Sequence, residues 1–126
     1  FFGEINIFES IVEGGKINTI LGTFKCSKNL NKNKVKIVVR NEAIKLYSSN
    51  KSIYKKPKKS NFVLSPNFGY VMEARLLAGF TLVHLSMEVN DRNFHIHARI
   101  PGLNFFNKNE KVRVLSDPSQ IFVFKQ

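Results

Sequence analysis

The segment KVKIVVRNEAIKLYS (34–48) lies over KVRVLSDPSQIFVFK (111–125) at a constant offset of 77 residues. Val35 matches Val112, Lys36 matches Arg113, Ile37 matches Val114, Ile44 matches Ile121, Leu46 matches Val123 and Tyr47 matches Phe124. Upstream, NLNKNK (29–34) echoes FFNKNEK (105–111), with one residue inserted. Each copy reads as a polar turn, a β-branched strand, a tight turn and an aromatic-ended strand. A solenoid needs at least about three repeats to bury a continuous core, so two copies predict two similar subdomains instead. All-β units of about 60 residues remove their edges most economically by closing, fully or partly, into a small barrel.

Around the copies the chain again reads as strands and turns. Residues 4–12 (EINIFESIV) alternate, with Ile5, Ile7 and Ile11 on one side, and run into Gly14-Gly15. KINTILGTFKC (16–26) reads as the return strand, so the two predict a hairpin. SKNLNKNK is a polar loop, and NEAI (41–44) is a short turn or one helical turn. Further on, Tyr70–Leu77 and Thr81–Val89 flank Ala78-Gly79, Asn90-Asp91 marks a turn, and Phe94–Ile100 stops at Pro101-Gly102. MEARLLA (72–78) also has helix-forming composition, which leaves Met72–Leu77 open between strand and helical turn. No long 3.6-residue period occurs elsewhere, so the class is all-β. In IFVF (121–124) both faces are apolar, and Phe1-Phe2 and Phe105-Phe106 add further bulky rings. Either the two subdomains bury these rings against each other or a partner surface does.

Charge is concentrated. The net charge is +11, and residues 16–59 hold thirteen of the twenty Lys and Arg with Glu42 as their one acid. KSIYKKPKK (51–59) is the densest run, and Ser48–Asn61 is the candidate linker. Such a run can meet nucleic acid or an anionic membrane. Arg, whose fork pairs bidentately with phosphate, is outnumbered fifteen to five by Lys, so a solvated loop is the more economical reading. With 43% hydrophobic residues the chain is not a disordered one, and no window approaches the ~20 apolar residues of a membrane-spanning helix.

Motifs for catalysis or cofactors do not stand out. Gly14-Gly15-Lys16 lacks the first glycine and the following hydroxyl residue of a phosphate loop. Cys26 is the single cysteine, so an intramolecular disulfide and a thiolate cluster are excluded, and a small buried hydrophobe is expected. His95 and His97 share a strand face, with His84 on a neighbouring strand. They make a conceivable site of two or three imidazoles, against which stand polar positions on a sheet face. Asp117-Pro118 opens a turn. The chain starts at Phe1 without Met or a signal pattern and reads as a piece of something longer.

Four segments in order, with a fifth at the start, carry a resemblance. They are VVRNEAIKL (38–46), GYVMEARLLAGFTLVHL (69–85), HARIPG (97–102) and KVRVLSDPSQIFVF (111–124), with FFGEINIF ahead of them. Together they resemble the transport-associated OB (TOBE) domain that ends the ATP-binding subunits of bacterial ABC importers. The ferric-iron importers are the nearest group, with polyamine, thiamine and phosphonate importers as relatives. Asn41, where the family usually has Pro, and Ala78 before the turn glycine depart from the pattern.

The resemblance implies two small OB-like β-barrel subdomains that share or exchange strands, in 1–48 and 62–126, joined by a basic loop over 49–61. It implies a regulatory, dimer-supporting domain that is not itself an enzyme, attached to an ATPase domain absent from this chain. That parent domain would hold ATP and Mg; no cofactor or metal is expected here. The partners implied are a sister ATPase subunit in a homodimer, the chain's own nucleotide-binding domain and a membrane permease. The implied location is cytoplasmic, on the inner face of the plasma membrane. Phe1, Phe2, Phe105, Phe106, Phe122 and Phe124 are the candidate interface residues. Two other readings compete. One is a barrel that binds single-stranded nucleic acid through Lys51, Lys55, Lys56, Lys58 and Lys59 with Tyr54, flanked by Tyr47 and Phe62. The other is a feedback sensor of a small anion or the transported substrate, with Lys36, Arg40 and Arg113 as its ligands.

Overall fold

A computed structural model of the chain describes residues 5–48 and 61–126. Ten antiparallel strands carry the described fold: β1 (Ile5–Ile11), β2 (Lys16–Thr19), β3 (Gly22–Lys25), β4 (Lys34–Arg40), β5 (Ile44–Ser48), β6 (Val63–Leu77), β7 (Phe80–Val89), β8 (Arg92–Pro101), β9 (Lys111–Ser116) and β10 (Ile121–Lys125). The helical elements among the described residues are single 3-10 turns, so the protein is all-β, as its alternation predicts. Sheets form in the orders β1-β4-β10, β2-β3 and β5-β9-β6-β7-β8. The five-stranded sheet curls into a half-barrel. Register shifts in β6 between Leu64 and Phe68 and between Val71 and Glu73 supply the extra bend, because a bulge adds local twist.

The repeat folds by exchange. β4 of the first copy pairs with β10 of the second, and β5 of the first pairs with β9 of the second. Val39↔Ile121 and Ile44↔Ser116 are the same pair under the 77-residue shift, so the two ladders are related by a pseudo-two-fold axis. The chain crosses between sheets through the 3-10 turns Asn41–Ala43 and Pro118–Gln120. Asp117 donates its backbone N–H to Ala43 O at 2.8 Å where the two crossings meet. Its carboxylate accepts from Ser119 N at 3.0 Å, and Pro118 fixes the first turn. Asp117 thus has the structural role that Asp-Pro predicts.

One apolar core runs through both halves. Val35, Ile37 and Val39 of β4 meet Val112 and Val114 of β9, with Val83, Leu85 and Met87 of β7 and Ile96 and Ala98 of β8. Ile17, Leu21 and Phe24 close it from the β2-β3 hairpin, and Cys26 packs partly buried at its margin. Among the described residues the two copies thus share both ladders and one core.

The hairpin expected over 4–26 resolves differently, and the choice left open at Met72–Leu77 is decided. Gly14 and Gly15 turn the chain as predicted, with φ of 59° and 71°, but only Glu13 and Lys16 bridge across that turn. β1 instead pairs over its full length with β4, whose KVKIVVR offers a seven-residue β-branched partner. Residues 16–26 fold on themselves: Thr19 Oγ1 accepts from Leu21 N and donates to Gly22 O, which makes the tight turn between β2 and β3. Met72–Leu77 is strand rather than helix, with Ala74 opposite Val83 and Leu76 opposite Thr81. Tertiary pairing outweighs the local propensity there.

Candidate functional site

The outer face of the three-stranded sheet is the first candidate surface. Asn6, Phe8 and Ser10 of β1 point inward, which turns Ile5, Ile7 and Ile11 toward solvent. Ile7, Val38 and Phe122 form one row across the sheet, and Glu9, Lys36 and Phe124 the next. Ile7 is 53% exposed, Phe122 47% and Phe124 56%. Bulky side chains in adjacent rows make an apolar patch of the kind that marks an interaction surface. Lys34, Lys36 and Arg40 of β4 border it, against Glu9 alone on the same rows, and Arg40 is tied to Glu42 at 3.3 Å. The complement of this face is an apolar centre with an acidic rim.

The other interface expectations fall apart in space or outside view. Phe105 is 72% exposed on the segment between β8 and β9, while Phe106 is half-buried against the core. Phe1, Phe2, Lys51, Tyr54, Lys55, Lys56, Lys58 and Lys59 lie outside the described residues. The proposed anion ligands are not gathered. Lys36 and Arg40 sit on the three-stranded sheet, whereas Arg113 is engaged on β9, donating through Nε to Ser65 O at 2.8 Å. Its guanidinium also lies 5.2 Å from the centre of the Phe68 ring.

A polar clamp joins the two sheets. The Asn6 carboxamide donates to His97 O at 2.9 Å and to Asn41 Oδ1 at 3.1 Å, with a longer contact to Val39 O at 3.4 Å. Its Oδ1 accepts from His97 N at 2.8 Å. The amide therefore pairs with both backbone groups of His97, as a neighbouring strand residue would, and ties β1 to the free edge of β8. Asn6, Asn41 and His97 belong to FFGEINIF, VVRNEAIKL and HARIPG, three separate motifs of the sequence brought to one point.

Three histidines share the outer face of the curled sheet. His84 Nε2 lies 2.9 Å from His95 Nδ1, and the His97 ring stacks on His84 with centroids 4.5 Å apart. Glu73 of β6 stands opposite His84 in register, and Arg75 and Leu82 complete a small pocket of about 130 Å³ with His84, His97 and Glu73. Among the described residues, no group of three or more His, Cys, Asp or Glu is placed to hold a metal ion, so a three-imidazole centre is not formed. A larger open groove of about 710 Å³ runs between β1, the β2-β3 turn and the tip of the β7-β8 hairpin. Glu9 and Arg92 line it with opposite charges, beside Asn18, Thr19, Asn67, Asn90 and His95.

Burial holds the His84 imidazole below the ordinary value of 6.5, the charges of His97 and His95 add to this, and Glu73 opposes it. The unfolded chain therefore takes up a proton near 6.5 while folded His84 still refuses it. Stability is full above that value and falls as pH drops through it. Urea unfolding between about pH 7.5 and 5.5 should show wild type losing more stability than His84→Gln. Equal losses in the two proteins would contradict it. Glu42 and Asp117, whose carboxyls are held below their ordinary values, act only in more acid solution.

No known protein-family profile matches this chain, and no characterised protein is significantly similar to it. Among the described residues no helix is long and apolar enough to cross a membrane.

Proposed function

We propose that this chain is the accessory C-terminal domain of the ATP-binding subunit of a bacterial ABC importer, of the ferric-iron type, supporting the subunit dimer and its regulation. The pairing of Asn6 with His97 carries the reading, because two motifs of the resemblance, FFGEINIF and HARIPG, act there as one structural unit. Strand exchange between the repeat copies fits the paired OB-like architecture that the resemblance implies. The face bearing Ile5, Ile7, Phe122 and Phe124 is the docking surface, covered by the sister subunit or by the chain's own nucleotide-binding domain. ATP and Mg would be handled by that domain, since this sequence carries no phosphate loop. The basic run at 51–59 supplies charge that would favour anionic neighbours such as headgroups beside the permease.

The test is sedimentation of the full-length subunit with Phe122→Ser and Phe124→Ser together. Each phenyl ring is worth about 2 kcal/mol when buried in a contact. The dimer dissociation constant should therefore rise by about a hundredfold or more, with the circular dichroism unchanged. Unaltered association and ATPase activity would sink the docking surface. A reading frame upstream of Phe1 that encodes no nucleotide-binding domain would sink the importer assignment itself. Salt-dependent binding of a labelled single-stranded oligonucleotide would replace it with the nucleic-acid reading.

A further inference from the structure

The histidine cluster has the spacing of a chelate. Metal–imidazole bonds are about 2.0–2.1 Å, so two of them at a right angle place their nitrogens about 2.9 Å apart, and at a tetrahedral angle about 3.3 Å apart. His84 Nε2 and His95 Nδ1 are 2.9 Å apart, on adjacent strands of one sheet. We propose that His84 and His95 form a two-imidazole chelate for a divalent transition metal ion of square-planar or tetragonal preference, Ni²⁺ or Cu²⁺, with water in the remaining positions.

Three further features favour it. Imidazole nitrogens suit these ions, and the 2.9 Å separation is nearer the bite of a right-angled centre than that of tetrahedral Zn²⁺. The rings are held in place: His97 stacks on His84 at 17° between planes, and Asn6 fixes the His97 backbone through both its N–H and its C=O. Glu73 sets a negative charge opposite His84, and Arg75 and the His97 ring complete the polar groups facing the pair. No net proton is released when both rings are neutral. The proton shared between the two facing nitrogens moves to the other nitrogen of its own ring, and both lone pairs then point at the ion.

Calorimetric titration of the chain with Ni²⁺ near neutral pH tests it. One ion per chain is expected. His84→Gln or His95→Gln should weaken binding by about tenfold or more, while His97→Gln should stay within about threefold. Acidification should weaken binding, because protons compete with the ion for imidazole nitrogens. Paramagnetic broadening centred on the His84 and His95 ring signals of the wild-type chain, extending to the stacked His97 ring, gives the same answer without any variant. Absence of binding, retention of binding when both residues are Gln, broadening centred away from this pair, or tighter binding of Zn²⁺ than of Ni²⁺ would each overturn the assignment.

Discussion

Asn6→Ala should destabilise the fold by about 3–5 kcal/mol, out of a total that for domains of this kind is on the order of 5–15 kcal/mol. The side chain is 5% exposed and serves the His97 N–H, the His97 C=O and Asn41 Oδ1 at once. Truncation leaves those groups without their partner, each at about 1–3 kcal/mol. Asn6→Asp is the sharper probe. It keeps the acceptor for His97 N but turns the donor into an oxygen facing two carbonyl oxygens and the Asn41 amide oxygen. It should be at least as damaging as Ala despite its matching shape. Urea unfolding read by near-ultraviolet circular dichroism checks both, and a loss under about 1 kcal/mol for either would mean the clamp is dispensable.

Gly22→Ala is the second large effect, expected at about 2–4 kcal/mol. Gly22 opens β3 with φ of 125°, a conformation that side chains rarely adopt. A Cβ there would also come within 2.4 Å of Val63 Cγ1 and 3.2 Å of Leu64 O. The close approach locks the β2-β3 hairpin against the start of β6. The causes separate in a double-mutant cycle with Val63→Ala, which removes the Val63 conflict and leaves the backbone strain and the approach to Leu64 O. A coupling of at least about 1 kcal/mol is expected; strict additivity would show that Val63 is not the obstacle.

Much of this architecture is legible in the residues, for a physical reason. Alternation and turn chemistry are local, so the strands near Val35, Thr81, Phe94, Lys111 and Ile121 and the turns at Gly14-Gly15, Gly79 and Asn90-Asp91 could be placed. Pairing is not local. Nothing in KINTILGTFKC says that β1 prefers β4 to its sequence neighbour, because β-branched strands are interchangeable partners until the core is assembled. The orientation of β1 has the same origin: three isoleucines on one side look like a core face, yet Asn6 inside decides the matter. Asn6 is the residue that sequence reasoning missed, and its signal was a lone polar amide on the inward side of an otherwise alternating strand. The histidine grouping was visible as spacing alone, whereas the 2.9 Å approach of His84 to His95 depends on which positions of β7 and β8 face each other.

The exchanged ladders also set an order for synthesis. Val39 cannot find Ile121, nor Ile44 find Ser116, until the ribosome has passed the second copy. A nascent chain that has reached residue 48 holds β4 with β1 on one side and an unmet hydrogen-bonding edge on the other, the kind of edge that recruits strands from other chains. Lys34, Lys36 and Arg40, spaced along that strand, keep such intermediates apart by like charge while the remainder is made. The two halves of this protein therefore cannot mature one after the other: the earliest strands are finished by the latest.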